Sequence, residues 1–358
     1  MLREIHLSGT PYAMGLEHGK QLRDEIHHLA LERYELARDF AAARGARLTR
    51  QQCEEMARQH LVIHQQQMPN VIEEWQGIAD GAGLPIEDVF FANALTDLQD
   101  VLWQAAEVEV HGCTSFLVAA DATLDGNPLA GQTWDMHATA QPVITIFHRT
   151  PENGPRSLVL STAGCLTLIG INEAGISVGN NNLRPTDARP GIIYLALLHE
   201  ALARESWDDA AAALTSQGRA SGHNYLVADS DGQLANIETT ATEHDLFPVE
   251  TGVYVHTNHY LSERLQALED PQQDPSSTRH RLKRARQRLA QEQHPFTPES
   301  LRSALSDHDG DDLCICRHGT ERNVRSCAFV VADPAGQSLW ACLGPPCEGT
   351  LEKYSLDA

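Results

Sequence analysis

The sequence predicts a layered α+β fold, and three observations predict it. Up to residue 112, apolar residues recur at helical spacing. From Thr114 the chain turns abruptly to short β-prone runs, many of them separated by Gly, Asn or Asp turns. Helical stretches then interrupt the strands, an arrangement that suits sheets covered by helices.

The elements follow in order. Residues 12–45 carry a helical pattern from Tyr12-Ala-Met-Gly-Leu through Leu29, Leu31, Tyr34 and Leu36, with Pro11 at its start and Gly45 at its end. A second helix is predicted from about Thr49 to Met68, where Pro69 breaks it. A third runs from Ile86 to about Trp103, after the turn Gly83-Leu-Pro. Strands are predicted at Ser115–Ala120, Val143–His148, Ser157–Thr162, Gly175–Gly179, Tyr225–Asp229, Leu234–Thr239 and Gly252–His256. Two helical stretches fall at about 192–217, a basic helix at about 277–292 and a short one after Pro298. Two strands, Ser326–Ala332 and Ser338–Leu343, close the chain around the turn Asp333-Pro-Ala-Gly, and Glu269–Pro275 reads as a surface loop.

Composition narrows the function. The chain has 358 residues and 42% hydrophobic content, enough for a sizeable core. A net charge of −22 argues against nucleic acid and against an anionic membrane surface. The N-terminus, Met-Leu-Arg-Glu-Ile-His, lacks the apolar core of a signal peptide, and no apolar run is long enough to span a bilayer. A cytoplasmic protein with its eight cysteines reduced is the expectation.

The most informative stretch is Gly112-Cys-Thr-Ser-Phe-Leu-Val. A small nucleophile follows a glycine and opens an apolar run at the switch from helices to strands. That is the pattern of a precursor cut at Gly112–Cys113, whose new N-terminal cysteine becomes the nucleophile. Its α-amine, with a pKa of about 7.7–8.0, could take the thiol proton without a histidine. A plain buried cysteine is the competing explanation. Asp135 closes Gly131-Gln132-Thr-Trp134-Asp after the turn Asp125-Gly-Asn-Pro, so a hairpin would return it to Cys113 to hold that amine; a turn aspartate is the alternative. Asn180-Asn-Asn182 and Asn258, each at a strand end, offer amide donors of the kind an oxyanion needs, or simply turns. His259 is a tempting base, although a hydrogen-bonded histidine is commoner. Ser276 or Ser277 would cap the basic helix and put Arg279 in its first turn, where a cation opposes the helix dipole and so invites a functional reason.

No metal site is expected. His60 and His64 lack the Glu of a His-Glu-x-x-His motif, and Asp307-His-Asp-Gly-Asp-Asp has its glycine misplaced for a calcium loop. Cys314-Ile-Cys316-Arg-His has one-residue spacing, and no phosphate-binding glycine loop is present, so no cofactor is expected either.

Taken together, these motifs resemble the acyl-coenzyme A:6-aminopenicillanic acid acyltransferase family, within the N-terminal nucleophile hydrolases. The resemblance runs through Gly9-Thr-Pro-Tyr-Ala-Met-Gly-Leu-Glu-His-Gly-Lys-Gln, Gly77-Ile-Ala-Asp-Gly-Ala-Gly-Leu-Pro, His111-Gly-Cys-Thr-Ser and Gly131-Gln-Thr-Trp-Asp. It continues through Gly170-Ile-Asn-Glu-Ala-Gly, Gly222-His-Asn-Tyr-Leu, His256-Thr-Asn-His-Tyr-Leu, Ser277-Thr-Arg, Cys316-Arg-His and Leu343-Gly-Pro-Pro-Cys-Glu-Gly.

The resemblance implies a four-layer αββα sandwich, made as one precursor and cut before the cysteine. Residues 1–112 would form a helical α subunit and 113–358 a strand-rich β subunit, associated as one composite domain. It implies Cys113 as nucleophile, Asp135 as its aspartate, Asn258 as oxyanion donor, Arg279 as the arginine after Ser-Thr, and Asn182 as a second site asparagine. Gln132, Trp134 and His259 would border the substrate. Related bile salt and penicillin V hydrolases often begin at the cysteine and carry an arginine near the Gln132 position, so this chain sides with the acyltransferase family. The implied reaction is amide hydrolysis of a small N-acyl compound through a thioester. The alternatives are acyl-CoA-dependent transfer to an amine and an inactive binding module.

Overall fold

The computed structural model describes residues 2–357 apart from 44, 103–111, 293–294 and 321–322. The end of the third predicted helix at Trp103, and His111 of the His-Gly-Cys-Thr-Ser motif, lie outside the described residues.

In chain order the elements are β1 Arg3–Gly9, α1 Pro11–Gln21, α2 Arg23–Ala43, α3 Arg50–Gln67, α4 Pro69–Ala82, α5 Ile86–Asn93 and α6 Leu95–Leu102. There follow β2 Thr114–Val118, β3 Leu129–His137, β4 Ile144–Pro151, β5 Ser157–Thr162, β6 Ile169–Asn172, β7 Ile176–Leu183, α7 Tyr194–Leu202 and α8 Trp207–Leu214. The chain continues with β8 Gly222–Asp229, β9 Leu234–Thr239, β10 His244–Pro248, β11 Val253–His256, α9 Ser276–Gln291 and α10 Pro298–Leu305, and closes with β12 Val324–Asp333, β13 Ser338–Leu343 and β14 Glu352–Ser355.

Two sheets result, one of order β1-β4-β5-β6-β7-β8-β9-β10 and one of order β11-β2-β3-β12-β13-β14. They face each other through β2 and β3 against β7 and β8. Helices α1, α7 and α8 cover the outer face of the first sheet, with α4 on α1 and α7, while α9 covers the second through β2 and β11 and α10 packs on α9. The architecture is therefore a four-layer αββα sandwich, as expected. The expected hairpin is there too: β2 and β3 pair antiparallel from Thr114↔Thr133 to Val118↔Leu129.

Several expectations change. The helix predicted over 12–45 is two helices, because Leu22 leaves helical geometry while its N–H still bonds the His18 carbonyl. No Gly or Pro marks that break. Pro69 both ends α3 and opens α4, since a proline at the first helical position lacks only an N–H that would go unpaired there. Strand β1 was not predicted, although Ile5 and Leu7 alternate with polar residues. It lies parallel to β4, from Arg3↔Thr145 to Gly9↔Pro151, so the first segment contributes a strand to a sheet of the second. Strand β7 runs on to Leu183, which puts Asn180, Asn181 and Asn182 inside a strand. Among the described residues, no helix is long and apolar enough to cross a membrane.

Close approach of α1 and α4 explains the glycines of both early motifs. A Cβ on Gly15 would sit 2.1 Å from the Glu74 carbonyl oxygen, and one on Gly19 would sit 2.3 Å from that of Ile78. Reciprocally, a Cβ on Gly77 would meet the Tyr12 oxygen at 2.2 Å, and one on Gly81 the Leu16 oxygen at 2.4 Å. These are backbone obstacles that no rotamer change relieves. Between the helices and the sheet, buried Glu74 accepts two hydrogen bonds from Arg149 at 2.7 Å each. Burial alone would raise its pKa, but Arg149 and His199 hold it well below the usual carboxylate range. Gly77→Ala is expected to destabilise the protein by about 3 kcal/mol, the upper end for overpacking, because the obstacle is backbone. A shift of the urea midpoint at unchanged m-value checks this.

Candidate active site

Cys113 lies at the mouth of the β2–β3 hairpin, buried, with its backbone N–H donating to Asn258 Oδ1 at 2.9 Å. The side chain of Asn258 is oriented by its partners. Cys113 N–H and Arg281 Nη2 (2.9 Å) both donate to its oxygen, and its Nδ2 donates to the Asn182 carbonyl at 2.9 Å. The structure thus brings Cys113, Asn258 and the Asn182 backbone together. The Asn182 Oδ1 is buried without a hydrogen-bond partner.

The loop carrying Asn258 is held from several sides. Its N–H donates to Thr278 Oγ1 at 2.7 Å, and its carbonyl accepts from Gln273 Nε2 at 2.8 Å. Glu238, fully buried beside His256, accepts from the Leu261 and Ser262 amides at 2.7 and 3.0 Å. The segment Glu269–Pro275 is therefore a wall of the site rather than a free surface loop. Its Asp270 and Gln273 are buried, and Asp270 pairs with Arg184 at 2.8 Å.

Asp135 is fully buried and accepts from Ser326 Oγ at 2.8 Å, with Arg317 Nε 3.9 Å from its other oxygen. Burial pushes its pKa up to about 6 against the pull of Arg317 and Arg281. In the uncut chain the Cys113 nitrogen is a peptide N–H, and it donates to Asn258. Asp135 acts on the thiol by charge. Burial first, and the Asp135 carboxylate second, push the Cys113 thiol up to about 12.

Arg279 is exposed, whereas Arg281 is buried and reaches Cys113. With 3.6 residues per turn, positions two apart point to nearly opposite sides of a helix. Thr278, Arg281, Leu282, Ala285 and Leu289 form the buried stripe of α9. That stripe was readable from Leu282, Ala285 and Leu289, and it places Arg281 inward. Arg281 Nη1 donates to the Cys113 carbonyl at 2.6 Å, and a Cβ on Gly112 would lie 2.9 Å from its Nη2. Burial, and then Arg317, lower its pKa to about 10, while Asp135 opposes that fall. Capping was also misjudged: Pro275 precedes the helix, and Asp274 Oδ1 takes the Ser276 N–H at 2.9 Å.

Arg317, from Cys316-Arg-His, is the second residue that the sequence did not single out. It donates to Ser277 Oγ at 2.5 Å. Of the expected substrate contacts, Trp134 lines a narrow cavity with Met136, Cys165, Leu168 and Tyr194. Gln132 is instead fully buried, accepting from the Asn180 N–H at 2.9 Å. His259 bonds Thr278 Oγ1 at 2.9 Å, and burial, with His256 and Arg279, lowers its pKa to about 4. Both side chains are buried.

The fold and this site define a four-layer αββα protein with a cysteine at the edge of its central hairpin. The family model described as acyl-coenzyme A:6-aminopenicillanic acid acyl-transferase matches residues 123–348, well over half of the chain, and the chain belongs to that family. It is 26% identical over 351 residues to the acyl-coenzyme A:6-aminopenicillanic-acid-acyltransferase 40 kDa form of Emericella nidulans, covering 96% of this chain and 92% of that one. An uncharacterized protein of Archaeoglobus fulgidus is 23% identical over 298 residues, 75% of this chain and 47% of its own length. Among solved structures, a variant of the conjugated bile acid hydrolase from Clostridium perfringens aligns at a TM-score of 0.49 and 12% identity, covering 68% of this chain and 93% of that one. The Caenorhabditis elegans ortholog of N-acylethanolamine-hydrolyzing acid amidase aligns at 0.45 and 16%, covering 62% and 93%.

The contrast between the two arginines is measurable as stability. Arg281→Met removes one of the two donors to Asn258 Oδ1 and the donor to the Cys113 carbonyl, and it weakens the charge balance at Asp135, which should cost about 3 kcal/mol. Arg279→Met, at an exposed position, should stay within about 0.5 kcal/mol of the parent. Paired denaturant melts of the two variants give the comparison, and equal losses would put Arg281 outside the network.

Proposed function

We propose that the chain cuts itself between Gly112 and Cys113 and then hydrolyses the amide bond of a small N-acyl compound through a thioester on Cys113. The observation that carries this is the grip on the Gly112–Cys113 bond. Asn258 takes the Cys113 N–H, Arg281 takes the Cys113 carbonyl, and the guanidinium lies where any side chain at residue 112 would go.

In the uncut chain the α-amine is locked in a peptide, so another base is needed for the first step. Asp135, with its pKa near 6, is ionised enough at neutral pH to accept the thiol proton. The thiolate attacks the Gly112 carbonyl, the Gly112–Cys113 C–N bond breaks, and the nitrogen takes a proton to become the free amine. Water then opens the thioester, leaving a Gly112 carboxylate and a free thiol. Fragments 1–112 and 113–358 stay together, because β1 remains paired with β4 and removing either fragment exposes the apolar face of the other.

The second stage uses the freed amine as base. The thiolate attacks the substrate carbonyl, the leaving amine takes the proton, and water resolves the acyl-enzyme. An amide nitrogen carries two hydrogens. Asn258 Nδ2 gives one to Asn182 and keeps the other for the oxyanion. Trp134, Met136, Leu168 and Tyr194 supply apolar walls for the acyl group. Transfer from acyl-CoA to an amine is the second reading, favoured by the family match. It needs cations for the CoA phosphates. On α9, Arg284 is paired with Asp307 at 2.6 Å, which removes one of them, while Lys283 and Arg286 stay exposed.

Intact mass spectrometry should find 1–112 and 113–358 co-purifying, and Cys113→Ala should abolish both the cut and the turnover. A full-length chain with full activity overturns the proposal. Incubation with acyl amides, with and without acyl-CoA and amine acceptors, separates the two reactions.

Maturation should also depend on pH. The base works only when ionised, so the rate of cutting should rise as pH increases through about 6 and level off above. Asp135→Asn should slow it by about 10²–10⁴-fold and flatten the profile. An unchanged profile would remove Asp135 from the first step.

A further inference from the structure

Outside the candidate active site, four metal-binding side chains from three separate segments converge on one point. They are His308 after α10, Cys316 and His318 before β12, and Cys347 after β13, with their ligand atoms all within 4.8 Å of one another. The one-residue spacing of Cys314 and Cys316 argues against a metal when the two are read as a pair. The fold does not use that pair: it joins Cys316 to His318 two residues on and draws Cys347 in from 31 residues beyond Cys316.

Four of the six ligand separations are close to those around one ion, and the two from His308 to the sulfurs lie within 4.8 Å. His308 Nε2 and His318 Nε2 are 3.1 Å apart, Cys316 and Cys347 Sγ are 3.5 Å apart, and His318 Nε2 is 3.7 and 3.4 Å from the two sulfurs. A tetrahedral zinc, with bonds of about 2.3 Å to sulfur and about 2.0–2.1 Å to nitrogen, separates its ligands by about 3.3 Å (N to N), about 3.6 Å (N to S) and about 3.8 Å (S to S). The four measured separations fall within a few tenths of an ångström of these.

A second observation is independent of that geometry. His318 Nδ1 lies 2.9 Å from Glu348 Oε1, and Arg325 Nη2 lies 2.9 Å from Glu348 Oε2. A carboxylate accepts, so the His318 Nδ1 carries the hydrogen and its Nε2 turns a lone pair toward both sulfurs and His308. This carboxylate–histidine arrangement orients imidazoles that ligate metals. Asp311 and Asp312 line the same depression and add a field favourable to cations.

We propose that His308, Cys316, His318 and Cys347 bind one structural zinc ion. Two thiolates and two imidazoles select zinc over oxygen-preferring cations, and four protein ligands leave no position for catalysis. Binding deprotonates the two thiols, releases their protons to solvent and takes both histidines neutral. The ion ties the loop after α10 to the ends of β12 and β13. It also fixes the segment carrying Arg317, which lies between two ligands and reaches Ser277 and Asp135. The site stands whether or not Cys113 performs the chemistry proposed above.

The test uses the full chain, expressed with added zinc and purified under reducing conditions without chelator. Elemental analysis should give about one zinc per chain. Exchange with Co²⁺ should produce the intense visible bands of tetrahedral cobalt together with thiolate-to-metal charge transfer. Cys347→Ser, at an exposed position, and His308→Gln should each weaken zinc binding by at least about tenfold with far-UV circular dichroism unchanged. Chelation should lower the melting temperature of the parent but not of Cys347→Ser. Failure of the parent to take up zinc from a buffered excess overturns the proposal. So does octahedral cobalt, or a parent mass two hydrogens lighter with Cys316 and Cys347 joined as a disulfide.

Discussion

A buried guanidinium organises the centre of this protein. Arg281 leaves α9, crosses to the second sheet and donates to both the Cys113 carbonyl and Asn258 Oδ1. Arg317 lies close by, so two cations face one carboxylate, Asp135. That balance favours negative charge on a sulfur or an oxyanion. Burial nonetheless wins in the uncut chain and holds the thiol near 12. A cut that admits water and frees an amine would relieve that penalty, so a dormant thiol and an activated one are compatible with the same side chains.

The layers around the arginine supply rigidity. Helix α9 is fixed at its first turn, where Thr278 holds Asn258 and Ser277 meets Arg317. On the far side, glycine-lined α1 and α4 carry Glu74 to Arg149, and β1 joins the early helices to the sheet. The cysteine and histidine cluster flanks Arg317 through Cys316 and His318. Asn258 itself is held by hydrogen bonds to Cys113, Arg281, Asn182, Thr278 and Gln273.

Much of this was legible in the sequence. The hairpin, both closing strands and the change of texture at Cys113 follow from local patterning, and they brought Cys113 and Asp135 together. The helix break at Leu22 has no local signal, since neither Gly nor Pro marks it. The inward position of Arg281 is a different matter: the apolar stripe of α9 was present and pointed to it. The asparagines were judged by side chain, whereas the Asn182 backbone carbonyl is what holds Asn258. Gln132 and His259 are buried, which their residue types alone do not reveal. The four-residue metal cluster was invisible because its ligands meet only after α10, β12 and β13 are folded together.

The central claim is that Cys113 carries the acyl group. The most direct measurement is to quench a turning-over reaction in acid, digest the protein and locate the acyl adduct by tandem mass spectrometry. The account predicts a hydroxylamine-labile acyl group on the sulfur of a peptide that begins at Cys113. An adduct on Cys165, or on Cys113 still joined to Gly112, would contradict it.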